Sequence, residues 1–498
     1  MFYVRTTKTA SSATAVQVVK YKNRKTIIVR HIGSTHDAEE LKQLKISARQ
    51  WIKRLSGQQT LFPEEQAETS NLVSLQKCQY LGVNYFFIYE VLSNIFSKFG
   101  FSCLDSPMLL DLALMRIIEP ASKLRSLELL KELFGIKYSR REFYRQLPNL
   151  NQWKEKTGSL ILDFAKKEFN FNFSIVFYDV TTLYFETFRS DELRKTGFSK
   201  DSKPQQPQIL IGLIVNTEGF PVAYEVFEGN KFEGHTLIPI ILEFKRKYDI
   251  EKLTVVADAA MISWDNIQAL EKKRLSYIVG ARTGNLPLKQ INEISQKLNR
   301  KDSESIRLKT DYGSLVCDFS QKRYCKDKCE MEKQLEKAKK ILNENKAIKR
   351  SKFLKNKNKS ICELNTKLIK KTEKLLGIKG YYTNLPEEVD NLTIINHYHN
   401  LWHVEQAFRV AKSDLEFRPI YHFKRHTIEA HILICFIALA VCKYIEIKTG
   451  ASIALFVKRL MRITDARIFD TLAKKEIVMR SEITPEIKHM LGKLSLSY

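Results

Sequence analysis

The chain is poor in acid for its length. Its 498 residues hold 82 Lys and Arg against 56 Asp and Glu, a formal charge of +26. A surplus that large favours a polyanionic partner, with nucleic acid the first candidate; a lysine-rich proteome is the bland alternative. Paired metal-binding cysteines are also lacking. Of eight scattered cysteines only Cys325 and Cys329 lie close together, and no second pair completes a zinc site. They read as reduced thiols of a cytosolic protein. The first residues, MFYVRTTKTASSATAVQVVKYKN, lack the apolar core of a signal peptide. A membrane span is missing as well. The one long apolar run, 430–444, is about fifteen residues and contains His431 and Lys443, which suits a buried helix better. The expectation is a cytoplasmic, nucleoid-associated protein.

What is present is ordinary globular composition, 44% apolar and 28% charged, spread over a chain too long for one core. Residues 1–60 read as a small α+β unit: VQVVKY and KTIIVRHIG are strand-like and a helix follows over 37–55. A polar stretch with Pro63, at 57–74, reads as a linker. The segment 76–170 is helical. Ser106-Pro107 starts one helix and Pro120 stops it; Ser122 caps a second that ends before Gly135; Ser139 with Glu142 opens a third. That third helix exposes Arg140, Arg141 and Arg145. Two short helices around a Gly-containing turn, the second basic, have the shape of a helix-turn-helix, and any small helical bundle has it too.

Residues 172–284 alternate strand and helix signals. FSIVFYD, ILIGLIVN and FPVAYEVFE form a meander, with a turn at Thr217-Glu218-Gly219, and LTVVAD and YIVGAR follow with helices between. This is a mixed α/β layer. Residues 285–385 break the rhythm with strand-like SIRLKT and SLVCDF and then lysine-dense helices, read either as solvated faces or as a basic hairpin facing nucleic acid. The α/β character resumes over 386–450, and 451–498 reads as a basic C-terminal tail.

Three carboxylates stand out. Asp179 ends the apolar run SIVFYD and Asp258 ends LTVVAD, as when a sheet delivers charge to its rim. Glu405 lies centrally in YHNLWHVEQAFRVAK. Read as one helix over 398–412, this segment puts Tyr398, Glu405 and Lys412 on one stripe, with Val404, Phe408, Ala411 and Leu415 on an apolar neighbour. Each acid alone has an ordinary explanation, a loop cap or a solvated face. Together they would repel, and a hard divalent cation, Mg²⁺ or Mn²⁺, removes that cost. A pair of such ions clamps the attacking and leaving oxygens of phosphodiester displacement. The histidines at 397, 399 and 403 do not share one face, so ordinary polar roles are preferred over zinc.

The ordered blocks FYDVTTLYFET, IGLIVNTEGFPVAYEVFEGNKFEGHTL, VVADAAMIS and YHNLWHVEQAFRVAK resemble the DDE transposases of bacterial insertion sequences. The best match is the IS-four superfamily, whose third acid lies in a Tyr-x2-Arg-x3-Glu-x6-Lys box. The resemblance implies an RNase H-like core interrupted by an inserted domain before its last acidic helix. It also implies Asp179, Asp258 and Glu405 as a metal triad for two Mg²⁺ or Mn²⁺ ions, and Tyr398 and Lys412 as contacts to element-end DNA. Leu401 replaces the Arg of the box and is expected to pack; Arg409, one turn beyond Glu405, is the candidate to supply that charge. No Trp lies in 285–385 to hold a flipped base, as some relatives do. The implied activity is cleavage and strand transfer on double-stranded DNA by a homodimer. A nuclease that cuts without joining, and a DNA-binding descendant without catalysis, are the alternatives.

Overall fold

The computed structural model describes residues 2–22, 25–56, 78–171, 173–261, 263–311, 313–343, 351–358, 361–471 and 474–498. Two units separate, one built on residues 1–79 with 469–476 and the other on 80–468 with 477–498. In the smaller, β1 (Phe2–Lys8), β2 (Thr14–Lys22) and β3 (Lys25–Thr35) form an antiparallel meander, followed by the helix Ala38–Ser56. Val16 and Val18 of β2 meet Leu44 and Ala48 of that helix in a small core. The helix starts where the Thr35 hydroxyl accepts from Asp37 N at 3.0 Å, leaving Glu39 and Glu40 in the first turn, where carboxylates suit the helix dipole. The expected strands and helix are present, and β1 is additional. The 57–74 linker lies outside the described residues.

The larger unit is organised by one eight-stranded sheet. After β4 (Cys78–Asn84) come β5 (Ile175–Tyr184), β6 (Gln208–Val215), β7 (Pro221–Glu228), β8 (Thr254–Ala257), β9 (Ser276–Ala281), β10 (Ser305–Thr310) and β11 (Gly313–Phe319). Then follow β12 (Leu354–Asn358), β13 (Ile361–Leu364) and β14 (Ile378–Thr383), with β15 (Asp465–Asp470) and β16 (Lys475–Arg480) near the end. The order across the main sheet is β10-β11-β14-β9-β8-β5-β6-β7. Pairings β5/β8 and β8/β9 are parallel and the others antiparallel. The meander β5-β6-β7 plus the parallel αβαβ extension is the RNase H-like arrangement that the sequence implied. Every residue of β6 is buried, as a strand covered on both faces requires of a continuous apolar run. The β6–β7 turn closes on Asn216, whose Oδ1 accepts from Glu218 N (3.0 Å) and Phe220 N (2.8 Å), with Gly219 at φ +82°, a conformation glycine tolerates best.

The structure differs from expectation in two places. Residues 285–385 do not stand apart: β10, β11 and β14 extend the main sheet, because Leu315, Val316, Cys317 and Tyr381 bury themselves in its core. What projects between β11 and β14 is a smaller lobe, the helix Gln321–Asn343 with the β12–β13 hairpin, around Met331, Ala338, Phe353 and Leu376. The second difference is the C-terminus. The span 451–498, read as a basic tail, carries helices Ile453–Leu460 and Pro485–Gly492, which bury Ile453, Phe456, Leu460, Ile487 and Leu491. The Tyr498 ring meets Phe87 edge-on at 5.2 Å, and its hydroxyl accepts from Asn94 at 2.6 Å.

The helix Arg425–Thr449 is long and apolar enough to cross a membrane by length and composition, yet it is buried against the helix Pro107–Ile118 and β7. Its His431 is satisfied inside. Nε2 donates to the Phe417 carbonyl oxygen (3.1 Å), which leaves Nδ1 to accept from Lys123 Nζ (3.1 Å). Burial brings the Lys123 ammonium down to about 7, with Arg116 pushing the same way. The expected helices of the 76–170 region are present, including Lys123–Phe134 capped by Ser122 and Arg140–Gln146 capped by Ser139.

Candidate active site

Asp179 and Asp258 reach one place by strand register. The parallel pair β5/β8 aligns Tyr178 with Ala257, so the two aspartates follow side by side, one residue beyond the last registered pair. Asp258 leaves β8 at its end, as expected, and its Oδ1 accepts from Ala259 N at 2.7 Å. Asp179 does not end its strand: β5 runs on through VTTLY to Tyr184, because Val180, Thr181 and Thr182 are β-branched and pair with β6. The acid therefore sits in mid-strand, and burial pushes its carboxyl up to about 6, against the pull of Lys200; Glu233 and Asp258 add to the rise.

The third acid arrives on a broken helix. The segment 398–412 is not one continuous helix: Asn391–His399 ends, Asn400 and Leu401 form a turn, Trp402–Arg409 follows, and Val410–Asp414 widens into a π turn. At the break, His403 N bonds Asn400 O (3.0 Å) and Val404 N bonds Leu401 O (3.1 Å), i to i+3 contacts that wind the chain more tightly than an α-helix. The single stripe of Tyr398, Glu405 and Lys412 is thereby lost. The break lets Asn391–His399 lie over β8 and β9 while Trp402–Arg409 lies over β5 and β6. Val404, Phe408, Ala411 and Leu415 are buried as the apolar stripe requires, and Leu401 packs at 5% exposure. Glu405 is left exposed.

Tyr398 is buried, and its hydroxyl donates to Asp258 Oδ1 at 3.1 Å. Burial raises its phenol, helped by the charges of Asp258 and Glu405. It thus stands between the second and third acids. Gly280 on β9 makes room for it: a Cβ there would run into the Tyr398 hydroxyl and lie 3.2 Å from Ala259 N. Lys379 of β14 escaped the sequence reading. Its ammonium lies 4.5 Å from the centre of the Tyr398 ring and is held below its usual range by burial, while Asp318, Asp258 and Glu405 favour its charge. A lone lysine in a strand gives no periodic signal; only the placement of β14 in the main sheet brings it here.

A second lysine comes from the β5–β6 loop. Lys200 Nζ is 3.9 Å from Asp179 Oδ1 and 3.1 Å from Glu233 Oε1, and it donates to the Val180 carbonyl at 2.5 Å. The next residue anchors the loop. Asp201, with an 8% exposed side chain, pairs with Lys412 at 3.2 Å and with Arg418 at 2.9 Å. Burial lowers Lys412, and Asp201 works against that shift. Lys412, expected at DNA, has its partner inside the protein. Asp201→Asn leaves two cations without their counter-charge; with Arg418 partly solvated the expected loss is about 2 kcal/mol of unfolding free energy, read from the denaturation midpoint. An unchanged midpoint would show that the latch contributes nothing.

The remaining candidates lie apart from these acids in different ways. Arg409 is exposed one turn beyond Glu405. Arg140, Arg141 and Arg145 are exposed on the short helix Arg140–Gln146, with Arg140 4.0 Å from Glu128. Glu142 does not complete the reciprocal capping box, since it accepts instead from Gln146 at 3.0 Å. His399 meets the Tyr381 hydroxyl at 3.3 Å and His403 stacks on Trp402 at 4.0 Å, which accounts for both without a metal.

Among the described residues no three acidic, histidine or cysteine side chains are gathered tightly enough to hold an ion outright. The donors nonetheless suit a hard divalent cation. Asp179, Asp258 and Glu405 offer oxygen only, and Glu233 Oε1 is a buried oxygen that takes no hydrogen bond.

Residues 171–441 match the model of the transposase DDE domain, more than half of the chain, and the protein belongs to that family of DDE transposases. No curated protein matches the sequence significantly. Among solved structures, the chain is similar to the piggyBac transposase synaptic complex with hairpin DNA, at 10% identity and TM-score 0.40, covering 76% of this chain and 78% of that one. It is also similar to the Mos1 transposase paired-end complex with the left transposon end, at 12% identity and TM-score 0.16, covering 48% and 74%.

Proposed function

We propose that this protein is the transposase of an insertion sequence of the IS-four branch, binding element ends and catalysing their cleavage and strand transfer. The observation that carries the reading is the side-by-side delivery of Asp179 and Asp258 by the β5/β8 register within a matched DDE domain. Mg²⁺ or Mn²⁺, as two ions, would neutralise the developing charge on the attacking and leaving oxygens of the phosphodiester. Asp179 and Asp258 provide the fixed donors. Tyr398 orients Asp258 through its hydroxyl, which leaves the other carboxylate oxygen free to face the site. Glu405, exposed on its helix, would supply the third carboxylate.

Water and then the freed 3′-hydroxyl act in turn on DNA phosphorus, with no covalent protein–DNA bond. Duplex DNA is held by Arg140, Arg141 and Arg145 on their exposed helix and by Arg409 near the third acid. Affinity should therefore fall steeply with salt. Two ends paired by a homodimer, in a cytoplasmic and nucleoid-associated setting, complete the proposal. The test is an incubation of labelled element ends with target plasmid and Mg²⁺. Nicked ends and joined product are expected. Cleavage without joined product would favour a nuclease, and binding without cleavage a DNA-binding descendant.

A further inference from the structure

Glu233 lies within the block IGLIVNTEGFPVAYEVFEGNKFEGHTL and Lys200 outside all four blocks; neither was read as a site residue, yet both lie near the first acid. Glu233 is the residue immediately before the helix Gly234–Lys247, with a side chain only 16% exposed. A carboxylate so placed near Asp179 is costly, since the two charges repel in a partly dehydrated pocket. The charge facing them is the Lys200 ammonium, 3.9 Å from Asp179 and 3.1 Å from Glu233. The partner of Glu233 Oε1 is that ammonium, in a contact that is electrostatic and short of hydrogen-bond geometry.

The lysine is held by construction. Lys200 N donates to the Thr182 hydroxyl at 3.2 Å, Ser199 Oγ accepts from Asp201 N (3.3 Å) and Lys203 N (3.1 Å), and Asp201 is clamped by Lys412 and Arg418. The ammonium thus occupies the point between two carboxylates at which a divalent cation gains most.

Resting on the metal-dependent reading above, we propose that Glu233 is a fourth carboxylate of the ion site and that Lys200 holds the ion's place until the ion displaces it. Glu233 would then act with Asp179 on one ion. Lys200 is a positioning residue: its ammonium, in contact with both carboxylates, holds them in place before loading. A cation entering the gap must expel the ammonium, so the two variants should move ion affinity in opposite directions.

The test is Mn²⁺ binding to the full chain without DNA, followed by calorimetry. Lys200→Met should tighten the Mn²⁺ Kd by roughly tenfold, because the ion no longer competes with a resident charge. Glu233→Gln should weaken it by roughly tenfold through loss of one charged donor. On the wild-type protein, acetylation of Lys200 read by mass spectrometry should rise when Mn²⁺ is added, a readout that needs no variant to fold. An unchanged Kd in both variants, or Lys200 acetylation that stays level or falls with Mn²⁺, would overturn the inference. Asp258→Asn separates the two levels of argument. If wild type binds Mn²⁺ and Asp258→Asn does not, the ion site stands and only the roles of Glu233 and Lys200 are in play; if wild type binds none, both readings fall.

Discussion

Glu405→Gln should abolish metal-dependent end cleavage, by roughly 10³-fold or about 4 kcal/mol of transition-state stabilisation, while leaving the fold intact. The clean separation follows from where the residue lies. Glu405 is exposed on Trp402–Arg409, whose anchorage comes from the buried Val404, Ala407 and Phe408 on the neighbouring apolar face. Gln keeps the shape and removes the charge, so no packing changes. An exposed helical position of this kind is usually worth no more than about 0.5 kcal/mol to stability. The check is a paired measurement of single-turnover cleavage of a labelled end with Mg²⁺ and of the thermal midpoint without DNA. Full cleavage by the variant would mean that Glu405 is solvated surface and that another acid completes the site. A fallen midpoint would mean the helix depends on the charge in a way its exposure does not suggest.

Gly280→Ala should damage the same site from the opposite side of the protein interior. The added methyl lands on the Tyr398 hydroxyl and close to Ala259 N, and both border Asp258. Tyr398 has little room to yield, since it is buried with the Tyr381 ring 4.8 Å away, tilted by 55°, and the Lys379 ammonium 4.5 Å from its ring centre. Overpacking of this sort costs about 1–3 kcal/mol, and loss of a hydrogen bond to a charged group adds about 1.5–3 kcal/mol. We expect an unfolding free energy lower by about 3 kcal/mol and cleavage slowed by at least tenfold, through disorder of Asp258. The double variant Gly280→Ala/Tyr398→Phe should recover about 1 kcal/mol of the stability lost, because the clashing oxygen is gone. It should not recover the cleavage rate, which needs the hydroxyl to hold Asp258. Additive stability losses in the double variant would show that the clash lies elsewhere.

Much of the larger unit was legible because its signals are local. Ser122 and Ser139 cap the helices they were expected to cap, and the run ILIGLIVN is the strand that an unbroken apolar stretch between turn residues implies. Where the reading went wrong, a local preference met a tertiary demand. Asp179 looked like a strand end because charge normally stops an apolar run, yet the following Val180, Thr181 and Thr182 are β-branched and VTTLY finds its partner in β6. The helix 398–412 looked continuous because each piece is amphipathic. The break at Asn400–Leu401 is set by two different floors of strands beneath the pieces. Lysine-dense 285–385 looked separate because its composition is, although its strands carry the core residues that join the main sheet.

The sequence by itself singled out three candidate acids, the alternation of strand and helix that carries them, and the buried nature of the helix Arg425–Thr449. Those properties depend on residue type, spacing and short-range pattern. Tertiary structure decided which groups face the acids. Tyr398 at Asp258, Lys379 behind Tyr398, Lys200 between Asp179 and Glu233, and Lys412 turned inward to Asp201 are contacts across 140, 19, 21 or 33, and 211 residues of chain. No periodicity records such pairs. They exist because β5, β8, β9 and β14 are neighbours in one sheet, and because a charge brought into a partly dehydrated site must find an opposite charge or a hydrogen bond there.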